Sequence, residues 1–295
     1  SLNQMPVGEP SLPKWNETFW PTISALKELG GSGTIQEIDD EVVRQQDYSD
    51  AQLAVLHGDG EKSEIAYRLA WARTNLKNLG AVTNSARGVW AITDFGREAS
   101  AGQLIDLDRQ WRRELAAKRA QKLSADAELS DEDGDGGSTE DDWKAILLAR
   151  LLEMPADAFE RLSQRLLREA GFVNVNVTGR SGDGGIDGTG IYRVSPLVSF
   201  PTFFQCKRYR GNVAPSQVRD FRGAMAGRGD KGLLITTGIF SKEAQAEATR
   251  DGAQPIELIN GDRLCDLLKQ YDLGVSTEQR VVEDVTVDPS FFDTI

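Results

Sequence analysis

Apolar residues recur along the first hundred positions at helical rather than strand spacing. Phe19, Trp20, Ile23, Leu26 and Leu29 fall at intervals of three and four, which predicts a helix over 17–29 stopped by Gly30-Gly31. Thr34-Ile35-Gln36-Glu37 has the spacing of a capping box and opens a second helix to about Gln46. Ile65, Leu69, Ala72, Leu76 and Leu79 form the stripe of a third helix over 63–79, ended by Gly80. Trp71 falls at the same helical spacing and is read as core. Two short runs, 81–83 and 88–92, flank Asn84-Ser85-Ala86-Arg87 and read as a hairpin. Three helices followed by a hairpin is the winged-helix order. Leu104, Leu107, Trp111 and Leu115 then continue as an amphipathic helix.

The second half alternates between the two periods. Phe159, Leu162 and Leu166 predict a helix over 157–170, followed by strands over 172–178, 185–194 and 202–208. A helix over 215–226, a buried-type strand over 232–236, a helix over 241–249 capped by Ser241, a strand over 256–259 and a helix over 262–270 complete the pattern. A hairpin-rich start joined to a βαβ-like end predicts an α/β unit with a mixed sheet.

Between the halves, 129–142 holds acids, glycine and serine with no aromatic or β-branched residue except Thr139, as a solvated linker does. The expected division is a winged-helix domain over 1–103, a helix and acidic linker over 104–142, an α/β domain over 143–275 and an acidic tail over 276–295. Charge follows this division. The net charge of −12 is made of −2 over 1–123, −9 over 124–142, +3 over 143–275 and −4 over 276–295. Acidity is thus concentrated in the linker and tail, so it does not exclude nucleic acid, whose affinity is set by local patches. Asp131-Glu132-Asp133-Gly134-Asp135-Gly136 matches the start of a calcium loop, but Ser138 and Asp142 depart from the rest of that pattern, and chance accounts for the match. Two cysteines, Cys206 and Cys265, and one histidine, His57, exclude a zinc site of standard spacing. The cysteines read as reduced and buried, and His57 as a loop residue without a catalytic partner. No stretch approaches the ~20 apolar residues that span a bilayer, and residues 1–15 hold no secretory apolar core; a cytoplasmic location is expected.

The chemistry is concentrated in two segments. Gln205-Cys206-Lys207 ends the apolar run 200–204, and Asp187 lies upstream in the glycine-wrapped segment Gly182-Asp183-Gly184-Gly185-Ile186-Asp187-Gly188. Side chains alternate faces along a strand, so Gln205 and Lys207 point the same way. Mg²⁺ keeps several waters and takes only one or two carboxylates. Asp187, the Gln205 side-chain oxygen and the Cys206 backbone carbonyl form a sufficient ligand set for Mg²⁺ or Mn²⁺. Lys207 would then orient or deprotonate a water, or hold the scissile phosphate. Glu160, three residues after Asp157, is either a capping-box acid or a second acid of the site. The expected reaction is metal-dependent hydrolysis of a phosphodiester.

Asp157-Ala158-Phe159-Glu160, Gly182 to Gly188, Gln205-Cys206-Lys207-Arg208-Tyr209, Val218-Arg219-Asp220-Phe221 and Ile235 to Ser241 together resemble the catalytic domain of Mrr-type restriction endonucleases, a branch of the PD-(D/E)xK nuclease class. The resemblance covers about 157–268, and the N-terminal region is more loosely similar to the winged helix such proteins carry. It implies a restriction-endonuclease-like fold, Asp187 as the metal-binding acid, Gln205 at the second-acid position, Lys207 as the catalytic lysine and Glu160 as the first-helix acid. Ile186 replaces the proline of the broad pattern, and Gln205 replaces an acid, as the Mrr branch does. The resemblance further implies cleavage of DNA bearing methylated bases.

Arg68, Arg73, Asn75 and Lys77 on the third helix, with Arg87 at the hairpin tip, are placed where a winged helix meets DNA. Arg208, Arg210, Arg219 and Arg222 follow the catalytic strand and suit a DNA backbone. Cleavage of both strands needs two copies of one active site, so a homodimer or higher oligomer is expected. Two other readings remain: a repair or junction nuclease on the same fold, and a winged-helix transcription regulator with an inactive nuclease-like domain.

Overall fold

The computed structural model describes residues 10–58, 62–122, 142–177, 185–228, 231–279 and 285–292, with side chains described up to 117 in the first long helix and from 143 onward in the next. A 3₁₀ turn, Trp15–Thr18, leads into α1 (Phe19–Glu28), β1 (Ser32–Thr34), α2 (Ile35–Gln46), α3 (Asp50–Leu53) and α4 (Glu64–Asn78). β2 (Val82–Asn84), β3 (Val89–Ile92), α5 (Asp94–Glu98) and α6 (Ala101–Lys122) complete the first half. β1, β3 and β2 form a three-stranded antiparallel sheet in that order. Phe19, Ile23 and Leu26 of α1, Ile38 and Val42 of α2, and Ile65, Leu69 and Leu76 of α4 close a core with Leu104. The helical stripes predict most of this. Two residues depart from it: Trp20 and Trp71 are exposed, and Lys27 lies over the Trp20 ring.

The second half runs α7 (Asp142–Glu153), α8 (Ala156–Glu169), β4 (Phe172–Val177), β5 (Gly188–Ser195), β6 (Val198–Lys207), β7 (Asn212–Val213) and α9 (Pro215–Met225). It ends with β8 (Lys231–Thr236), β9 (Ile239–Phe240), α10 (Lys242–Ala248), β10 (Ile256–Ile259), α11 (Gly261–Gln270) and α12 (Pro289–Phe292). The main sheet has the order β10-β8-β6-β5-β4. β4, β5 and β6 pair antiparallel, whereas β6, β8 and β10 pair parallel, so the sheet is mixed. Side chains alternate as a two-faced sheet requires. Phe204, Cys206, Leu233 and Ile235 pack with Phe159 and Leu167 of α8 and Leu264 and Leu268 of α11. Phe203 and Leu234 point the other way, onto Val218, Phe221 and Met225 of α9 and Ala244 of α10.

The halves are welded by buried polar contacts. Thr34 and Glu37 make the expected capping box, with Thr34 N–H donating to Glu37 Oε2 at 2.8 Å. The same carboxylate accepts from Arg168 Nε at 3.0 Å and from the Val175 backbone N–H at 2.8 Å, both in the second half. Arg168, fully buried, also donates to Ser32 Oγ and the Val175 carbonyl, each at 3.0 Å. Among the described residues, no helix is long and apolar enough to cross a membrane.

Candidate active site

The site is built at the end of β6. Asp187 directly precedes β5, and its backbone N–H donates to the Phe204 carbonyl at 2.9 Å, extending the β5–β6 ladder by one bond. Its carboxylate folds over the neighbouring strand and accepts the Cys206 backbone N–H at 2.5 Å. The expected strand over 185–194 therefore begins later, at Gly188, and Gly185 and Asp187 form the turn that delivers the acid. Two glycines make that turn possible. Gly185 has φ +92°, and a Cβ there would come within 2.4 Å of Gln205 Nε2. At Gly188 a Cβ would meet the Asn176 carbonyl and the Phe204 ring, each at 2.4 Å.

α8 supplies the second acid. Its N-cap is Pro155, so Asp157 and Glu160 make no capping box; Asp157 instead pairs with Arg161 at 2.6 Å. Glu160 is left partly exposed beside buried Phe159, near enough to Asp187 to act on its charge. Burial is the main reason the Asp187 carboxyl is pushed up to about 6. The Cys206 N–H opposes the shift, the negative Glu160 adds to it, and Lys207 opposes it. Three residues separated by up to forty-seven positions thus converge on the Asp187 carboxylate: Glu160, Cys206 and Lys207. The Gln205 amide lies beside this turn, in the space that a Cβ on Gly185 would take. The Cys206 thiol is itself buried and pushed up by burial, which makes it packing rather than a nucleophile. The Lys207 side chain is half-buried, and its ammonium makes no hydrogen bond or ion pair among the described residues, while its backbone carbonyl accepts from the Thr237 N–H at 3.3 Å. Asp183 lies outside the described residues, as does 131–141 of the calcium-loop match. No three His, Cys, Asp or Glu side chains gather into a metal cluster among the described residues.

The cations assigned to DNA divide. Lys77 and Arg210 are exposed with no partner among the described residues. Arg73 is 3 % exposed, paired with Asp39 and 6.0 Å from the Trp90 ring centroid, so it is a core ion pair and not a base reader. Asn75 is equally buried. Arg68 pairs with Glu64 at 2.6 Å and donates to the Pro13 carbonyl. Arg87, at the hairpin tip, docks on the second half. It donates to Glu169 at 2.7 Å and to the Tyr271 carbonyl. Arg208 donates to the Leu152 and Met154 carbonyls at 2.7 and 2.6 Å, satisfying the open end of α7. Arg222 is buried against Glu247 and the Gln254 carbonyl, and Arg219 lies 3.7 Å from the same glutamate. Arg73, Asn75, Arg87, Arg208 and Arg222 are therefore structural in this conformation. Sequence cannot separate a phosphate-binding arginine from one that caps a helix or welds a domain interface, because both need the same donor fork.

Residues 151–268 match the family model described as a restriction endonuclease catalytic domain of the Mrr type, and residues 15–101 match the Mrr N-terminal domain. An Escherichia coli K12 protein, the type IV methyl-directed restriction enzyme EcoKMrr, is 25% identical, with 96% of this chain and 100% of that protein aligned. Among solved structures, the DNA modification-dependent restriction endonuclease AspBHI is 21% identical with a TM-score of 0.39, covering 64% of this chain and 52% of its own. The MspJI restriction endonuclease in complex with a 27-mer oligonucleotide is 24% identical with a TM-score of 0.38, covering 63% and 50%. The chain spans about half the length of these two structures. With both of its halves matched, and in family order, the chain belongs to the Mrr-type restriction endonucleases, nucleases that hydrolyse DNA.

Proposed function

We propose that this chain is a Mg²⁺- or Mn²⁺-dependent endonuclease acting on double-stranded DNA that carries modified bases. The observation that carries the reading is the convergence of Asp187, Glu160 and Lys207 at the end of β6. The donor set fits a hard divalent ion. Asp187, the Gln205 amide oxygen and the Cys206 backbone carbonyl are all oxygen ligands, with Glu160 a second carboxylate beside them. A buried carboxylate held next to another acid gains stability from a cation, which fits the raised Asp187 value. When bound, such an ion polarises the phosphoryl oxygens and activates a water.

The protein's own residues then have distinct tasks. The Cys206 N–H holds the Asp187 carboxylate in one orientation. Gly185 leaves the space that the Gln205 amide occupies. Lys207, without an internal partner, is available to the scissile phosphate or the attacking water. We read residues 1–103 as a winged-helix DNA-binding unit, 104–142 as its connection, 143–275 as the nuclease and 276–295 as a tail. Lys77 and Arg210 are the phosphate contacts we retain. One active site cuts one strand, so double-strand cleavage takes a homodimer or higher oligomer on DNA. The free thiols Cys206 and Cys265 agree with a cytoplasmic setting. The methyl-directed activity named for the E. coli relative supplies the substrate class.

The test is plasmid cleavage on methylated and unmethylated DNA, with Mg²⁺ or EDTA, for the parent and Lys207→Ala. Cutting of methylated plasmid that needs Mg²⁺ and is lost in the variant is expected. Cutting that persists in EDTA, or equal activity in the variant, refutes the mechanism. Equal cutting of both plasmids refutes the substrate class.

A further inference from the structure

The N-terminal half carries an open pocket of about 560 Å³ between the start of the chain, α4 and α6. Its size is that of a small-molecule site. Its walls are aromatic: Trp15, Tyr67 and Trp71 line it, and Trp15 and Trp71 are 39% and 48% exposed. Indole faces left open to solvent on a small domain are unusual, because each forgoes the burial of a large apolar surface. Within the same wall stands Asn75, 3% exposed, whose Nδ2 has no hydrogen-bond partner. An unmet buried amide is unfavourable, so a ligand acceptor there would be rewarded.

The charge of the pocket selects the ligand. Arg112 lies 4.0 Å over the Trp15 ring, and the exposed Lys14 ammonium at the rim forms no ion pair among the described residues. The acid present, Glu64, is already taken. One oxygen meets His57 Nδ1 and the other Arg68 Nε, both at 2.6 Å, while His57 stacks on Tyr67 with centroids 3.4 Å apart. Arg68 is paired with Glu64 and Arg112 with Asp108 at 2.8 Å, which leaves the Lys14 ammonium as the unpaired charge of the lining and favours an anionic group on the ligand. A flat base with an attached phosphate satisfies every part: indole for the ring, the Asn75 amide for a ring acceptor, Lys14 for the phosphate. The pocket also adjoins the free surface of α4, where Trp71, Thr74 and Lys77 are exposed at helical spacing.

We propose that the Trp15–Tyr67–Trp71 pocket binds a single nucleotide unit, its base on the aromatic wall and the Asn75 amide, its phosphate at Lys14. The source is either one nucleotide swung out of the DNA duplex or a free nucleotide. The first source rests on the proposed function above; the pocket itself does not.

The experiment uses the full chain with Asp187→Asn, which leaves DNA uncut, and compares it with the same chain carrying Trp71→Ala or Lys14→Ala. Both added changes are at exposed positions. One arm titrates methylated duplexes that hold a single 2-aminopurine, moved position by position. The other titrates the four deoxynucleoside monophosphates and 5-methyl-dCMP alone, read by tryptophan fluorescence. A fluorescence change at one 2-aminopurine position, abolished by Trp71→Ala with duplex affinity about tenfold weaker, establishes the duplex source. Quenching by a monophosphate that Trp71→Ala removes and Lys14→Ala weakens establishes the free source. If Trp71→Ala and Lys14→Ala change neither signal, or lower duplex affinity without a position-specific signal and without nucleotide quenching, the pocket site is refuted. Should the chain bind no DNA at all, the proposed function fails, and the monophosphate arm still decides the pocket.

Discussion

Asp187→Asn should stabilise the metal-free protein while abolishing cleavage. The carboxyl moves from 3.8 to about 6 on folding, mainly because it is buried beside Glu160. A raised folded value means that the folded chain binds this proton more tightly than the unfolded chain does. The group therefore costs nothing below about pH 4, costs progressively more as pH rises to 6, and costs its full amount above that. The size of the shift sets a ceiling of about 3 kcal/mol. Partial exposure lowers that figure, and so does the weaker hydrogen bond that a neutral amide oxygen offers the Cys206 N–H, by about 1 kcal/mol. A gain of about 1–2 kcal/mol at pH 8 remains. Urea melts in EDTA at pH 4.5 and pH 8 read it out: the variant should match the parent at the lower pH and exceed it at the higher. Added Mg²⁺ should raise the parent's midpoint and leave the variant's unchanged, since an ion stabilises only the state that holds it. A variant no more stable than the parent at pH 8, or one whose advantage does not shrink toward pH 4.5, refutes the claim that this carboxylate is held at a cost.

Three further outcomes follow from the contacts described. Glu37→Gln replaces one of the oxygens that serve Thr34, Arg168 and Val175 with an amide NH2 that can only donate, leaving a buried arginine half-paired; a loss of about 3–5 kcal/mol in urea melts is expected, together with faster proteolysis between the two halves. Gly185→Ala puts a methyl 2.4 Å from Gln205 Nε2 at φ +92°, so cleavage should fall at least tenfold and stability by about 1–2 kcal/mol, with duplex binding unchanged. Arg73→Ala should cost about 3–5 kcal/mol of stability by orphaning Asp39, whereas Lys77→Ala should leave the melt unchanged and reduce the salt dependence of duplex binding by about one phosphate contact.

The parts of this molecule legible in sequence are those fixed by local pattern. Ile65, Leu69 and Leu76 define α4, the Thr34–Glu37 spacing defines the start of α2, and Ser241 caps α10 through the Ala244 N–H at 3.0 Å. Alternation through Phe203, Phe204 and Cys206 assigns the two faces of β6. What escapes is set by partners distant in sequence. β1 has three residues and exists because β3 pairs with it, Ser32 opposite Ala91; no strand period shows in so short a run. α7 is apolar enough to be recognised, with Ile146, Leu147 and Leu151, but its first turn merges into the acidic run before it. β6 begins at Val198 rather than 202, since its first residues pair with β5 and leave only Pro196 and Leu197 for the turn. At the site, Glu160 could not be assigned from Asp157-x-x-Glu160 alone, because the capping reading fails only once Pro155 is found at the N-cap.

The arginines give this a functional consequence. A winged-helix reading places Arg87 at a hairpin tip free to enter DNA, yet here the tip is held by Glu169 and the Tyr271 carbonyl, with Ser85 also donating to Glu169 at 3.0 Å. Glu169 is the last residue of α8, the helix that also carries Glu160 to the side of Asp187 in the candidate active site. A hairpin tip that left this contact would strip a buried carboxylate of its partners, a cost of several kcal/mol that a phosphate contact worth about 1 kcal/mol does not repay. On the proposed function, the first half is therefore expected to meet DNA through the exposed face of α4 while its hairpin stays on α8. Through that one helix, the position of the hairpin and the position of Glu160 beside Asp187 are set by the same rigid element, which ties the proposed DNA-binding half to the candidate active site.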